Sequence, residues 1–186
     1  SGQRVTTVVV ADIQQALTDY AAHLLQTYKP RVVGVTGSSG KTTTKEAIAA
    51  ILAKQYQVFK NYGSYNGRYG LPIALGQFKP EYNVAVLEMA CDTFGEIGEL
   101  ARITQPEVGV ITTINKTHLA YLGTLNNIAA ENGRLIEALP FNGSAILNAD
   151  DPRVAGMVPR TQARILTFGL TPGADVRASD LKVMPD

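Results

Sequence analysis

Lys41 and Thr42 lie near the end of the run Thr36-Gly37-Ser38-Ser39-Gly40-Lys41-Thr42-Thr43, where small residues lead into an ammonium and two hydroxyls. That order suits the capture of a triphosphate. A tight glycine turn aims successive backbone N–H groups at an anion, at the positive end of the helix that follows. Gly37, Ser38, Ser39 and Gly40 form the cradle, Lys41 reaches the β- and γ-phosphates, and the Thr42 hydroxyl ligates Mg²⁺ with Thr43 beside it. The full phosphate-loop pattern has a glycine where this chain has Val35, so the motif is of a shorter form. The alternative is an ordinary strand-to-helix turn, which leaves a cation at the positive end of a helix with no anion to offset it. A nucleoside triphosphate with Mg²⁺ is therefore the expected ligand.

Other residues can complete such a site. Glu88 ends the apolar strand Asn83–Leu87, and an acid at the end of a neighbouring strand holds Mg²⁺ in phosphate-loop folds. An exposed acid at a strand tip is the alternative. His118 follows the strand Val108–Thr112 and is placed to bind a second metal or to contact reacting groups, although a lone histidine is usually structural. His23 sits mid-helix and reads as structural. The glycine-, tyrosine- and asparagine-rich segment 61–72 suits ligand contact, with Asn66 as a substrate candidate, or else an ordinary surface loop. Asn148 can donate and accept hydrogen bonds, as adenine recognition requires. Asp151 is a further candidate for contact with the nucleotide, and Asp150 or Asp151 can equally be the N-cap of a helix entered at Pro152. Cys91 reads as a small buried apolar residue.

The elements that must position these residues alternate along the chain. Strands are expected at Thr7–Val10, Val32–Thr36, Gln57–Lys60, Val84–Met89, Val108–Thr112, Ser144–Leu147 and Arg164–Phe168. Helices are expected at Ile13–Thr27, Lys41–Gln55, Glu96–Ile103, Asn126–Ala138 and Pro152–Met157. Several strands are continuous Val/Ile/Leu runs, as in strands covered on both faces. This predicts an α/β, phosphate-loop-containing three-layer sandwich with a mostly parallel central sheet flanked by helices. Thr171-Pro172-Gly173 reads as a turn before a further strand.

The 186 residues suffice for one domain with a full core, and 45% hydrophobic with 18% charged residues is ordinary for a globular protein. A net charge of +1 with scattered Lys and Arg gives no nucleic-acid footprint. One cysteine excludes an internal disulfide framework and fits a reducing, cytoplasmic setting. No apolar stretch reaches membrane-spanning length. The chain opens Ser1-Gly2, which reads as a cleavage scar.

Several runs together resemble the central ATPase domain of the Mur ligases. They are Val8–Asp12, Val35–Lys45, Gly70-Leu71-Pro72, Val86–Met89 with Phe94–Ile97, Pro106–Val108, His118-Leu119 with Leu122-Gly123, Ala145–Asp151 and Thr167–Gly169. The resemblance covers nearly the whole chain and leans toward the members that add D-alanyl-D-alanine to UDP-N-acetylmuramoyl-tripeptide. It implies that ATP phosphorylates a substrate carboxylate to an acyl phosphate, which an incoming amine then attacks. Lys41 and His118 would be catalytic, Thr42 and Glu88 would hold one Mg²⁺, His118 would help hold a second, and Asn148 would face adenine. It also implies N- and C-terminal domains that this chain does not show. Residues 1–30 are then a lead-in strand and helix, 31–170 the ATP-binding domain, and 171–186 the start of an accessory β-segment. A fragment of this kind is expected to bind ATP weakly and to ligate nothing alone.

The chain departs from that pattern. Members of the family usually carry a carbamylated lysine where Asn132 stands, and an acid where Ala120 stands. Lys116 adds positive charge nearby, and the loop Gly63-Ser64-Tyr65-Asn66-Gly67 stands where relatives have more asparagine. Asparagine cannot be carbamylated, so weaker dependence on bicarbonate is expected. Glu131 is one residue away and would face another direction. Two alternatives follow: a non-catalytic nucleotide-binding relative, or another amide ligase such as a folylpolyglutamate or cyanophycin synthetase. A kinase or GTPase is disfavoured. There is no arginine-rich insertion, and Asn115-Lys116-Thr117-His118 lacks the aspartate of the guanine-reading motif.

Overall fold

The computed structural model describes residues 7–116 and 119–181. Seven parallel strands form one sheet in the order β2-β3-β1-β4-β5-β6-β7. The strands are β1 Arg31–Thr36, β2 Val58–Lys60, β3 Val84–Glu88, β4 Val108–Ile111, β5 Ser144–Asn148, β6 Arg164–Gly169 and β7 Val176–Arg177. The helices are α1 Ile13–Tyr28, α2 Lys41–Leu52, α3 Gly70–Leu75, α4 Glu96–Thr104, α5 Leu119–Leu122, α6 Leu125–Glu137 and α7 Pro152–Ala155. The expected three-layer α/β sandwich is therefore the observed one. Among the described residues every strand pair is parallel. No helix among them is long and apolar enough to cross a membrane.

The two faces of the sheet are read from side-chain alternation. Val33, Val35, Val84, Val86 and Val110 face α2 and pack with Ile48, Ala49 and Leu52. Val32, Ala85, Leu87, Met89 and Ile111 face the opposite layer, built from α1, α3, α4, α6 and α7. Glu88 is in register with Val84 and Val86, so the same alternation directs it toward α2. Gly34 lies under α6, where an added Cβ would sit 2.8 Å from Leu135 Cδ1.

Two expectations need correction. Thr7–Val10 is irregular backbone, and Val9 is 92% exposed. An apolar run becomes a strand only when a ladder partner accepts it, and the sheet edges are β2 and β7. The segment 61–72 is not loop throughout, because it runs into α3. Leu71, Ala74 and Leu75 of that helix are buried, and Pro72 falls in its first turn, where no backbone donor is lost. Smaller shifts are that α2 stops at Leu52 and α7 at Ala155.

The chain passes from β1 outward to β2, returns through β3, and then crosses to β4 on the other side of β1. The direction of winding thus reverses at β1, and ligands of open α/β sheets bind at the carboxyl ends of strands beside such a point. The phosphate loop follows β1 at that position.

Candidate functional site

The loop between β1 and α2 is held by the end of β4. Ser38 N–H donates to Thr113 O at 2.7 Å, and the Thr112 hydroxyl donates to Ser39 O at 2.7 Å. Asn115 N–H donates to Ser38 Oγ at 2.9 Å, and Asn115 Nδ2 to Ser39 Oγ at 3.0 Å. Gly37 has φ +133°, and a Cβ there would lie 2.1 Å from Thr112 Oγ1. Only glycine permits both that conformation and that approach. Gly40, at φ +80°, is the N-cap of α2 and offers no side chain. Its place therefore leaves the first N–H groups of α2 available to a ligand.

Lys41 folds back over this loop. Its Nζ donates to Gly37 O at 2.8 Å and lies 3.4 Å from Ser38 O. Burial pulls the ammonium below its ordinary pKa, while the nearby Glu88 carboxylate opposes that shift. The Thr42 hydroxyl donates to Glu88 Oε2 at 2.8 Å, and Asn66 Nδ2 donates to Glu88 Oε1 at 2.8 Å. Alternation along β3 and the start of α2 thus bring together Lys41, Thr42 and Glu88, three of the candidate residues. The segment before α3 adds Asn66. They line a cavity of about 430 Å³ with Gly40, Asp92 and Glu96.

Hard oxygen donors from one hydroxyl and one carboxylate suit Mg²⁺, which takes one or two carboxylates and completes its octahedron with water and substrate phosphates. Among the described residues there is no cluster of three His, Cys, Asp or Glu that would hold a metal by protein alone. The residues present therefore fit a cation shared with a phosphate ligand. His118 lies outside the described residues.

Two residues that sequence reasoning passed over brace Glu88. Lys45, 1% exposed, donates to Asn61 O at 2.7 Å and stands 3.7 Å from Glu88 Oε2. Asn61 receives Glu88 N–H on its Oδ1 at 2.8 Å and donates Nδ2 to Glu88 O at 3.0 Å. A signal was available for Lys45. It is three residues after Thr42, so both share a helix face.

The Asn132 side chain is buried. Its Oδ1 accepts from the Thr36 hydroxyl at 2.8 Å, and its Nδ2 donates to Ile128 O at 2.8 Å. Thr36 Oγ1 is also 2.8 Å from Met89 O, so one proton is shared between two acceptors. Glu131 faces elsewhere, as expected, and accepts from Gly95 N–H at 2.9 Å and Ile97 N–H at 3.0 Å at the start of α4. Cys91 is buried on the cavity wall. Burial, reinforced by Glu131 and Glu96, pushes its thiol up to about 12, so it is not a thiolate nucleophile.

Asn148 and Asp151 lie further along the same rim. Asn148 Oδ1 accepts from Asp150 N–H at 2.9 Å. It borders a second, largely apolar cavity of about 560 Å³ lined by Phe168, Leu170, Val176 and Arg177. Asp151 caps α7 through Arg153 N–H at 2.9 Å, and its other oxygen accepts from Ile114 N–H at 2.6 Å. The N-cap alternative is thus the geometry observed for Asp151.

The model of the Mur ligase middle domain matches residues 35–186. A UDP-N-acetylmuramoyl-tripeptide–D-alanyl-D-alanine ligase of Bacillus subtilis is 40% identical over 145 residues, spanning 78% of this chain and 32% of that protein. Among solved structures, MurF from Acinetobacter baumannii superposes with a TM-score of 0.88 at 30% identity, covering 95% of this chain and 39% of that one. MurF from Thermotoga maritima in complex with ADP gives 0.81 at 35% identity, covering 91% and 40%. The chain thus spans about a third of the length of the curated relatives it matches. From its phosphate loop to its last strand, this chain belongs to the Mur ligase family.

Proposed function

We propose that the chain is the ATP-binding central domain of a MurF-like ligase that makes an amide bond in peptidoglycan precursor synthesis. The observation that carries this is the convergence of Lys41, Thr42 and Glu88 on one cavity at the reversal point of the sheet. The substrates proposed are ATP, a UDP-N-acetylmuramoyl-peptide and D-alanyl-D-alanine. Residues 31–170 are proposed as the nucleotide-binding unit, 1–30 as its lead-in, and 171–186 as the start of a further β-segment. Domains on either side would bring the other two substrates, and a cytoplasmic setting follows from that role.

A carboxylate is a poor acyl donor until one of its oxygens becomes phosphate. Making that bond brings two anions together at the γ-phosphate, so the site must supply positive charge without moving far. Lys41 does so by exchanging the Gly37 and Ser38 carbonyls for phosphate oxygens. The N–H groups of Ser39 to Thr42 hold the rest of the chain of phosphates at the start of α2. Thr42 and Glu88 would hold Mg²⁺, which would supply positive charge to offset that of the phosphates. Asn66 keeps the Glu88 carboxylate turned toward Thr42. His118 is proposed for the second cation and the reacting groups. The slot beside Asn148 suits a flat base, with the Asn148 amide at its edge and Asp151 fixing the adjacent Ile114.

Calorimetry of the chain with Mg·ATP tests this directly. We expect binding in the wild type and a loss of at least tenfold in affinity for Lys41→Met, with the fold retained by circular dichroism. No heat with Mg·ATP for a folded sample would overturn it.

A further inference from the structure

We propose that Lys45 is a charge gate: it keeps the Thr42–Glu88 pair from taking a free divalent cation, so that the cation enters only with the triphosphate. This rests on the nucleotide reading above and extends it to the order in which the ligands load.

The argument starts from burial. An ammonium is strongly hydrated, and placing one inside a protein is unfavourable unless carbonyls or carboxylates replace the water. Lys45 is almost wholly buried, on the face of α2 that carries Thr42. Its ammonium lies 2.7 Å from Asn61 O, 3.4 Å from Glu46 Oε1 and 3.7 Å from Glu88 Oε2. Glu46 is half exposed and is shared with Lys60, so it offsets Lys45 only in part. The carboxylate facing Lys45 from the buried side is Glu88.

Glu88 is thus satisfied before any ligand arrives. Asn66 occupies Oε1, while Thr42 and Lys45 occupy Oε2. Lys41 also acts on it electrostatically. Two ammonium groups therefore act on this one buried carboxylate, with Glu46 facing Lys45 from the exposed side, while Asp92 and Glu96 line the other side of the cavity. On the opposite wall, Glu96 Oε2 is already held by the N–H groups of Asp92 and Thr93, at 2.6 and 2.8 Å. A free cation at Glu88 would bring a double charge beside Lys45 where water screens little. A triphosphate brings negative charge to the same corner and offsets the repulsion from Lys45. Cation and nucleotide then favour each other's binding by one reciprocal factor.

Electron paramagnetic resonance with Mn²⁺ as the probe tests the gate. The chain is titrated with Mn²⁺ with and without a non-hydrolysable ATP analogue, and the component lost in Glu88→Gln is followed. In the wild type this component is expected to be at least a hundredfold weaker without the analogue than with it. In Lys45→Met, nucleotide-free binding is expected to tighten at least tenfold and the coupling to shrink accordingly. Free Mn²⁺ binding at Glu88 within tenfold of the nucleotide-bound value in the wild type would overturn the gate, and this measurement stands even where Lys45→Met does not fold. A folded Lys45→Met with unchanged Mn²⁺ binding would overturn it too. A calorimetric titration with Mg·ATP separates the two readings. Mg·ATP binding without coupling in the Mn²⁺ titrations sinks the gate alone, whereas no Mg·ATP binding by a folded chain sinks both.

Discussion

Glu131 is charged and wholly buried, and its environment explains why that is tolerated. Its two oxygens accept the N–H groups of Gly95 and Ile97, which open α4, and Arg134 lies 3.1 Å away. Charge-assisted bonds to a helix start are among the stronger ones. Glu131→Ala leaves one buried and one part-buried donor without this partner, and we expect it to lower unfolding free energy by about 3 kcal/mol in urea denaturation. Cys91 makes a different prediction. Its folded thiol titrates near 12 against an ordinary 9. A group whose pKa rises on folding contributes its stability below the unfolded value and loses it as pH climbs toward the folded one. Stability is therefore expected to fall between about pH 9 and 12. Iodoacetamide labelling at pH 8 is expected to be slow in the native chain and fast in denaturant, and rapid native labelling would contradict the burial argument.

At the scale of elements, the site is a meeting of three strand ends and one helix start. Alternation on β3 decides that Glu88, not Leu87 or Met89, meets α2, and the end of β4 decides the shape of the phosphate loop. Gly37→Ala tests that second dependence. The new methyl would collide with Thr112 and with the backbone of Thr113, at a φ that side chains rarely adopt. We expect loss of Mg·ATP binding by at least a hundredfold in calorimetry, together with a lower melting temperature. The strand and helix types around these points follow from hydrophobic period. The helix at Gly70–Leu75 does not, because six residues are too few for periodicity to outvote the Gly and Asn turn signals before them.

At the scale of the molecule, α1 and the layer that covers one face of the sheet share one core. Ala21, Leu24 and Leu25 of α1 are buried with Leu71, Leu75, Phe78 and Leu100. Burying a leucine contributes about 2 kcal/mol, and whole domains are stable by only about 5–15 kcal/mol. Deleting residues 1–30 is therefore expected to cost most of the net stability, read as loss of a cooperative melting transition in calorimetry. A truncated chain that melts as the intact one does would show α1 to be dispensable.

The phosphate loop, the acid on β3 and the α/β alternation are local properties, written in neighbouring residue types and their spacing, and the amino-acid sequence alone determined them. It also marked Asn132 as unable to carry a carbamate, since that depends only on the side chain's chemistry. The tertiary structure decided what depends on partners distant in the chain. Val8 and Val9 look like strand residues yet find no ladder to join. Lys45 looks like one more helix lysine until β3 and Asn61 close over it. Asp151 was an N-cap or a ligand contact until Ile114 approached its second oxygen. In each case the missing quantity was which backbone or side-chain group sits opposite. That is set by how sheet and helices pack, and no window of neighbouring residues contains it.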